Sequence, residues 1–218
     1  MKSESEIRRE IVEAVRRLEE LGLNHASSGN ISHRFGERTL ITPTGAHTAN
    51  LTEARIVSID DEGKASAEGG VPSSEWRMHT EILKAHLEAQ AVVHTHADTC
   101  VALSCLRRPI PPFHYMVAFF GGDDIPCARY ATFGSDALAH EAVAALAERS
   151  ACLLANHGMI TFGPTLEHAV GATIRLETLA RQYVIARQAG EPVLLSKDDM
   201  AVVIDRYRRY GIGHMPRA

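Results

Sequence analysis

The chain has 218 residues, enough for one domain with a sizeable core. Hydrophobic residues make up 45% and charged residues 23%, as in ordinary globular proteins, and the formal net charge of -4 argues against a general nucleic-acid-binding surface. The opening residues are highly charged and no apolar run reaches the length of a membrane span, so neither a signal segment nor a membrane helix is expected.

Ser3-Glu4-Ser5-Glu6 carries capping chemistry for a first helix. Ile7, Ile11, Val15 and Leu18 give that helix an apolar stripe, and Leu21-Gly22 ends it. Residues 29–67 read as short strands broken by turns, with candidates at 31–35, 39–42 and 56–60. Asp61-Glu62-Gly63-Lys64 is a turn. A helix is predicted over 74–87, then a buried strand, Ala91-Val92-Val93, that runs into His94. Residues 97–106 read as a helix, 107–134 as irregular with one short strand, and 135–148 as an Ala-rich helix. The run Cys152-Leu153-Leu154-Ala155 predicts another buried strand ahead of His157, and helices over 165–189 and 198–210 complete the chain. Alternating strands and helices imply an α/β layered architecture with a central sheet, whose strand order and direction stay open. No repeat, linker or low-complexity tract divides the chain, so residues 1–218 read as a single domain. The cysteines Cys100, Cys105, Cys127 and Cys152 form no C-x-x-C pair and sit among apolar or small neighbours. Buried free thiols and a cytoplasmic location are expected.

The pair His94-Thr95-His96 closes a strand, and side chains two apart on a strand point the same way. Both imidazoles can therefore face one point. His157-Gly158 follows a second apolar run, and Glu75 lies upstream. Three imidazoles at strand ends with a carboxylate fit a four-ligand divalent metal site of the zinc type.

Ser27-Ser28-Gly29-Asn30, Thr42-Pro43-Thr44-Gly45 and Pro72-Ser73-Ser74-Glu75 are rich in small hydroxyl residues and glycine. Hydroxyls and free N–H groups bind oxyanions, and Ser73-Ser74 sits where a helix should begin. A phosphate bound there would lie close to a metal on Glu75, which points to a phosphorylated substrate with an oxygen on the metal. The segment 110–120 is too apolar for a free surface loop, which suggests that it meets a partner.

These motifs resemble the class II aldolase/adducin family, the fuculose-phosphate branch most closely. The matching stretches are Ser28-Gly29-Asn30-Ile31-Ser32, Leu40-Ile41-Thr42-Pro43-Thr44-Gly45, Pro72-Ser73-Ser74-Glu75-Trp76-Arg77 and Ala91-Val92-Val93-His94-Thr95-His96. Ile110-Pro111, His114-Tyr115-Met116, Ile125-Pro126-Cys127, Tyr130-Ala131-Thr132-Phe133-Gly134 and Asn156-His157-Gly158 continue the match over nearly the whole chain. Asp98 and the tail after Tyr210 depart from the family pattern.

The resemblance implies a central, mainly antiparallel sheet flanked by helices, in a homotetramer with sites at subunit interfaces. It implies one divalent metal per subunit on Glu75, His94, His96 and His157, zinc by preference, with manganese or cobalt as substitutes. Glu75 would also act as acid and base. Ser28, Gly29, Asn30, Thr44, Gly45, Ser73 and Ser74 would hold a phosphate, and Phe133 and Tyr210 would enclose the aldehyde end. Tyr115 would serve the neighbouring subunit's site as a proton donor. The implied activity is cleavage of a ketose 1-phosphate to dihydroxyacetone phosphate and a short aldehyde. Candidate substrates are L-fuculose 1-phosphate, 5-deoxyribulose 1-phosphate and 5-methylthioribulose 1-phosphate. A sugar-phosphate epimerase or decarboxylase is the rival enzyme, although the related epimerases carry Asp where Glu75 stands. A non-catalytic adducin-like interaction module is the rival from another class, and the full set of metal ligands argues against it.

Overall fold

The computed structural model describes residues 2–66 and 70–211. Helix α1 (Glu4–Glu20) opens with the Ser3 and Glu6 capping box, in which Ser3 N donates to the Glu6 carboxylate at 2.7 Å and Glu6 N to Ser3 Oγ at 3.3 Å. Its stripe of Ile7, Ile11, Val15 and Leu18 is buried, as the spacing requires.

Among the described residues seven strands form one sheet: β1 (Asn30–Phe35), β2 (Arg38–Ile41), β3 (Val57–Ile59), β4 (Ala91–Thr95), β5 (Cys127–Ala128), β6 (Ala151–Leu154) and β7 (Gly158–Gly163). Their order is β3-β2-β1-β4-β7-β6-β5, and each neighbouring pair is antiparallel except β5 with β6. Residues of α1, α3 (Asp98–Ser104) and α5 (Leu166–Ala189) form one core with Ile31, Leu40, Ala91, Val93, Leu153 and Met159. Residues of α2 (Trp76–Ala85) and α4 (Asp136–Ala145) form another with Val92, Cys152, Leu154, Ile160 and Phe162. Helix α6 (Lys197–Tyr210) adds Met200 to the first core. Among the described residues no helix is long and apolar enough to cross a membrane.

Strand alternation decides what each face carries. On β4, Ala91 and Val93 enter the first core and Val92 the second, so His94 belongs to the α2 face. On β1, Ile31 enters the first core, which leaves Asn30 and Ser32 turned toward α2. Asn30 pairs across the strands with His94.

Three expectations need correction. The residues after His157, for which the sequence reading assigns no element, form a strand of their own, so His157 follows β6 as expected but stands in the β6–β7 hairpin turn. The apolar character of 110–120 is largely used inside this chain: a 3-10 helix over Tyr115–Phe120 buries Val117, Ala118, Phe119 and Phe120 in the first core. Cys105 is exposed and Cys127 half-buried, and only Cys100 and Cys152 are buried. All four are free thiols.

Candidate metal centre and substrate cavity

His94 is the last residue but one of β4, all of which is buried, and His96 follows just past its end. Pairing of Thr95 with Met159 brings the β6–β7 turn, and His157 with it, to the same end of the sheet. The turn is held from behind by Ser104, whose carbonyl accepts from Asn156 N at 3.2 Å and whose hydroxyl accepts from His157 N at 3.3 Å. Ser104 ends α3, and α3 is tied at its start to Glu177 of α5, which accepts from Thr99 N at 3.0 Å and Cys100 N at 2.9 Å. Gly158 must be small: a Cβ there would lie 2.5 Å from the Thr95 carbonyl oxygen and 3.1 Å from the His96 ring.

The three rings then meet, with centroids 4.8 to 4.9 Å apart and planes at 70° to 81°. One ring nitrogen from each of His94, His96 and His157 lies within 4.8 Å of the others. His94 Nδ1 faces the Met159 carbonyl at 2.7 Å, so that nitrogen donates. Nε2 of His94 is left pointing inward, 3.0 Å from His96 Nε2 and 3.2 Å from Glu75 Oε2. Glu75 Oε1 is 3.4 Å from His157 Nε2 and is buried without a hydrogen bond. Inward-facing imidazole nitrogens beside an unsatisfied carboxylate oxygen are short of a cation. Three nitrogen donors and one carboxylate suit a divalent transition metal, and an imidazole braced by a backbone carbonyl is the usual support of a metal ligand.

Burial works against an ionised Glu75, but the neighbouring His94 ring, His157 and the Asn30 amide outweigh it. Together they hold the carboxyl far below its usual range. Burial, then the neighbouring His94 ring, pushes His96 and His157 each down to about 4. Their lone pairs are therefore available at neutral pH.

A cavity of about 300 Å³ opens beside the cluster. Ser28, Gly29, Asn30, Thr44, Gly45, Ser73 and Ser74 line one part, Tyr130, Ala131, Phe133 and Asn156 another, and Glu75, His96 and His157 join them. No lysine or arginine lines it among the described residues. Gly29 has φ 75°, and a Cβ on it would lie 2.4 Å from Asn24 Oδ1 and 2.7 Å from the His94 carbonyl, so the backbone here lies flush against the strand. Glu75 occupies the N-cap of α2 without a side-chain cap bond. Its own N–H donates to Ser73 Oγ at 3.3 Å.

The structure thus gathers the four expected ligands, the seven expected anion-binding residues and Phe133. Tyr115 does not line this cavity and is 48% exposed, stacked on His114. The side chain of Tyr210 and the tail from 212 on lie outside the described residues. Asp98 pairs with His25 at 3.2 Å. Sequence reasoning missed Asn24, whose Oδ1 accepts from His96 N at 3.3 Å. It also missed His79, which sits one helical turn beyond Glu75. The four-residue spacing was the available signal.

Comparison with known proteins agrees with this geometry. The Class II Aldolase and Adducin N-terminal domain family matches residues 9–184. A 5-methylthioribulose-1-phosphate/5-deoxyribulose-1-phosphate aldolase of Rhodospirillum rubrum is 46% identical over 205 residues, 94% of this chain and 92% of that protein. The L-fuculose phosphate aldolase of Escherichia coli K12 is 43% identical over 209 residues, 95% of this chain and 97% of that protein. A solved L-fuculose 1-phosphate aldolase superposes with a TM-score of 0.90 at 34% identity, covering 95% of this chain and 98% of that one.

The buried imidazoles set a pH dependence for the metal-free chain. His79, His96 and His157 have folded values of about 3, 4 and 4, below the ordinary 6.5, so the unfolded chain binds more protons between those limits. Their contribution to stability is complete above the unfolded value and is lost as pH falls toward the folded ones. Urea midpoints of chelator-treated protein should fall steadily from about pH 7 to about pH 5. Midpoints that stay level over that range would contradict neutral, buried imidazoles.

Proposed function

The chain belongs to the class II aldolase and adducin N-terminal domain family, and from that premise we propose how it works. It is a class II aldolase that reversibly cleaves a ketose 1-phosphate to dihydroxyacetone phosphate and a short aldehyde. The substrate is L-fuculose 1-phosphate or a 5-deoxypentulose or 5-methylthioribulose 1-phosphate. These share the phosphate end and differ at the aldehyde end. The observation that carries the reading is the histidine cluster, with Glu75 wedged into it, at the edge of a cavity lined by neutral hydrogen-bond donors.

One divalent metal per chain, zinc by preference with manganese or cobalt as substitutes, would be held by His94, His96 and His157 with Glu75. Such an ion supplies Lewis acidity at the ketone oxygen, which gains negative charge as the carbon–carbon bond breaks. Ser28, Gly29, Thr44, Gly45, Ser73 and Ser74 would hold the phosphate through hydroxyls, backbone N–H groups and the start of α2. Asn30 would bound that pocket, since both ends of its amide are engaged. Glu75, ionised and hydrogen-bonded through one oxygen only, would move the proton at the carbon beside the carbonyl. Phe133 and Tyr210 would enclose the aldehyde end. Tyr115, exposed and outside its own chain's cavity, would reach the neighbouring site of a homotetramer and exchange the proton on the aldehyde oxygen.

Two outcomes test these roles. Glu75→Gln should lower exchange of the reacting proton of dihydroxyacetone phosphate by ~10²- to 10⁴-fold, the usual worth of a positioned base, while the three imidazoles still bind metal. Exchange at the native rate would leave Glu75 as a ligand only. For the subunit arrangement, inactive His96→Ala and Tyr115→Phe chains should complement each other when co-refolded. Activity that stays at the parental average despite proven subunit exchange would confine Tyr115 to its own chain.

A further inference from the structure

Behind Glu75 lies a chain of buried polar groups that the reaction scheme does not use. His79 is fully buried on α2. Its Nδ1 lies 2.8 Å from Ser32 Oγ and its Nε2 2.5 Å from Asn30 Oδ1. Asn30 Nδ2 in turn donates to Glu75 Oε2 at 3.1 Å. The orientation of this chain is forced from one end to the other. An ionised carboxylate accepts only, so the Asn30 amide must present its NH₂ to Glu75. The amide oxygen then faces His79, so Nε2 of that ring carries the hydrogen. Nδ1 is left as an acceptor, and the Ser32 hydroxyl donates to it.

The ionised Glu75 carboxylate selects this orientation, and His79 is the group that holds the other end of the Asn30 amide. Flipped, the amide would aim its oxygen at an ionised carboxylate and its NH₂ at a ring N–H. The ring Nε2–H thus anchors the amide oxygen in the orientation that Glu75 requires. Burial above all pushes His79 down to about 3, so the ring is neutral at neutral pH.

We propose that His79 is a positioning residue for the reaction. It locks the Asn30 amide so that its N–H faces Glu75, and thereby holds one carboxylate oxygen still while leaving the other free at the histidine cluster. The proposal deepens the reading of Glu75 as acid–base group and rests on it.

His79→Gln and His79→Leu separate positioning from mere filling of space. The Gln amide N–H can take the place of the ring Nε2–H, and Leu offers no donor. His79→Leu should lower proton exchange on dihydroxyacetone phosphate by roughly 10- to 100-fold in kcat, the usual range for groups that orient metal ligands, with KM little changed. It should also alter the visible absorption of the cobalt-substituted, substrate-free protein. His79→Gln should regain most of both. In a Glu75→Gln background, His79→Leu should change neither further. Equal losses in Leu and Gln variants, or losses that add to those of Glu75→Gln, would overturn the proposal.

A readout that needs no metal guards against a Leu variant that fails to fold and against failure of the wider reading. In ¹⁵N-labelled metal-free protein, His79 should show the Nε2–H tautomer without titrating between about pH 5 and pH 8. An Nδ1–H tautomer, or titration in that window, would overturn the proposal whatever becomes of the metal.

Discussion

Three imidazoles and a carboxylate packed against one another in a water-poor corner cannot satisfy themselves. His94 spends its one N–H on the Met159 carbonyl, so its second nitrogen faces His96 Nε2 at 3.0 Å with no hydrogen assured between them. A buried Glu75 oxygen beside them has no donor. The fold holds these groups in place: β4 between β1 and β7, the β6–β7 turn clamped to α3, and α3 tied to α5 through Glu177. A cation at the centre would take up these lone pairs and remove the conflict.

The same constraint explains the character of the cavity. Among the described residues its wall carries hydroxyls and backbone groups and no lysine or arginine. On the proposed reading a phosphate there would be met by fixed dipoles and by the start of α2, which are weaker than a lysine but need no reorganisation. Positive charge would come from an ion held by the histidine cluster. Glu75 stands between the two regions. It is ionised because its neighbours overcome the penalty of burial, and it is hydrogen-bonded at one oxygen alone.

Much of this was legible in the chain because period-2 and period-3.6 patterns are local. The stripe of α1 and the apolar run before His94 each follow from sequence spacing, and the run already put His94 and His96 on one side. The strand-end histidines and Glu75 already gave the four donors, and the family resemblance added the mainly antiparallel sheet. What escaped depends on pairing at a distance. Strand β7 is bracketed by Gly158 and Gly163 and reads locally as the continuation of a loop, and only its ladder with β4 reveals it. The segment 110–120 looked like a contact surface because its burial comes from elements far along the chain. For His79 the only sequence signal is its four-residue spacing from Glu75, and a buried histidine in a helix reads as core until its partners on β1 are known. Cys105 lies just beyond the last turn of α3, where a one-residue difference in helix phase decides between core and solvent.

The central claim is that the cluster of His94, His96, His157 and Glu75 exists to hold one metal ion. Anomalous X-ray diffraction across the zinc edge, on crystals of protein purified without chelator and reloaded with zinc, tests it most directly. The account predicts one anomalous peak per chain, enclosed by the three imidazoles and within bonding distance of a Glu75 oxygen. A peak elsewhere, or none at full zinc loading, would contradict it.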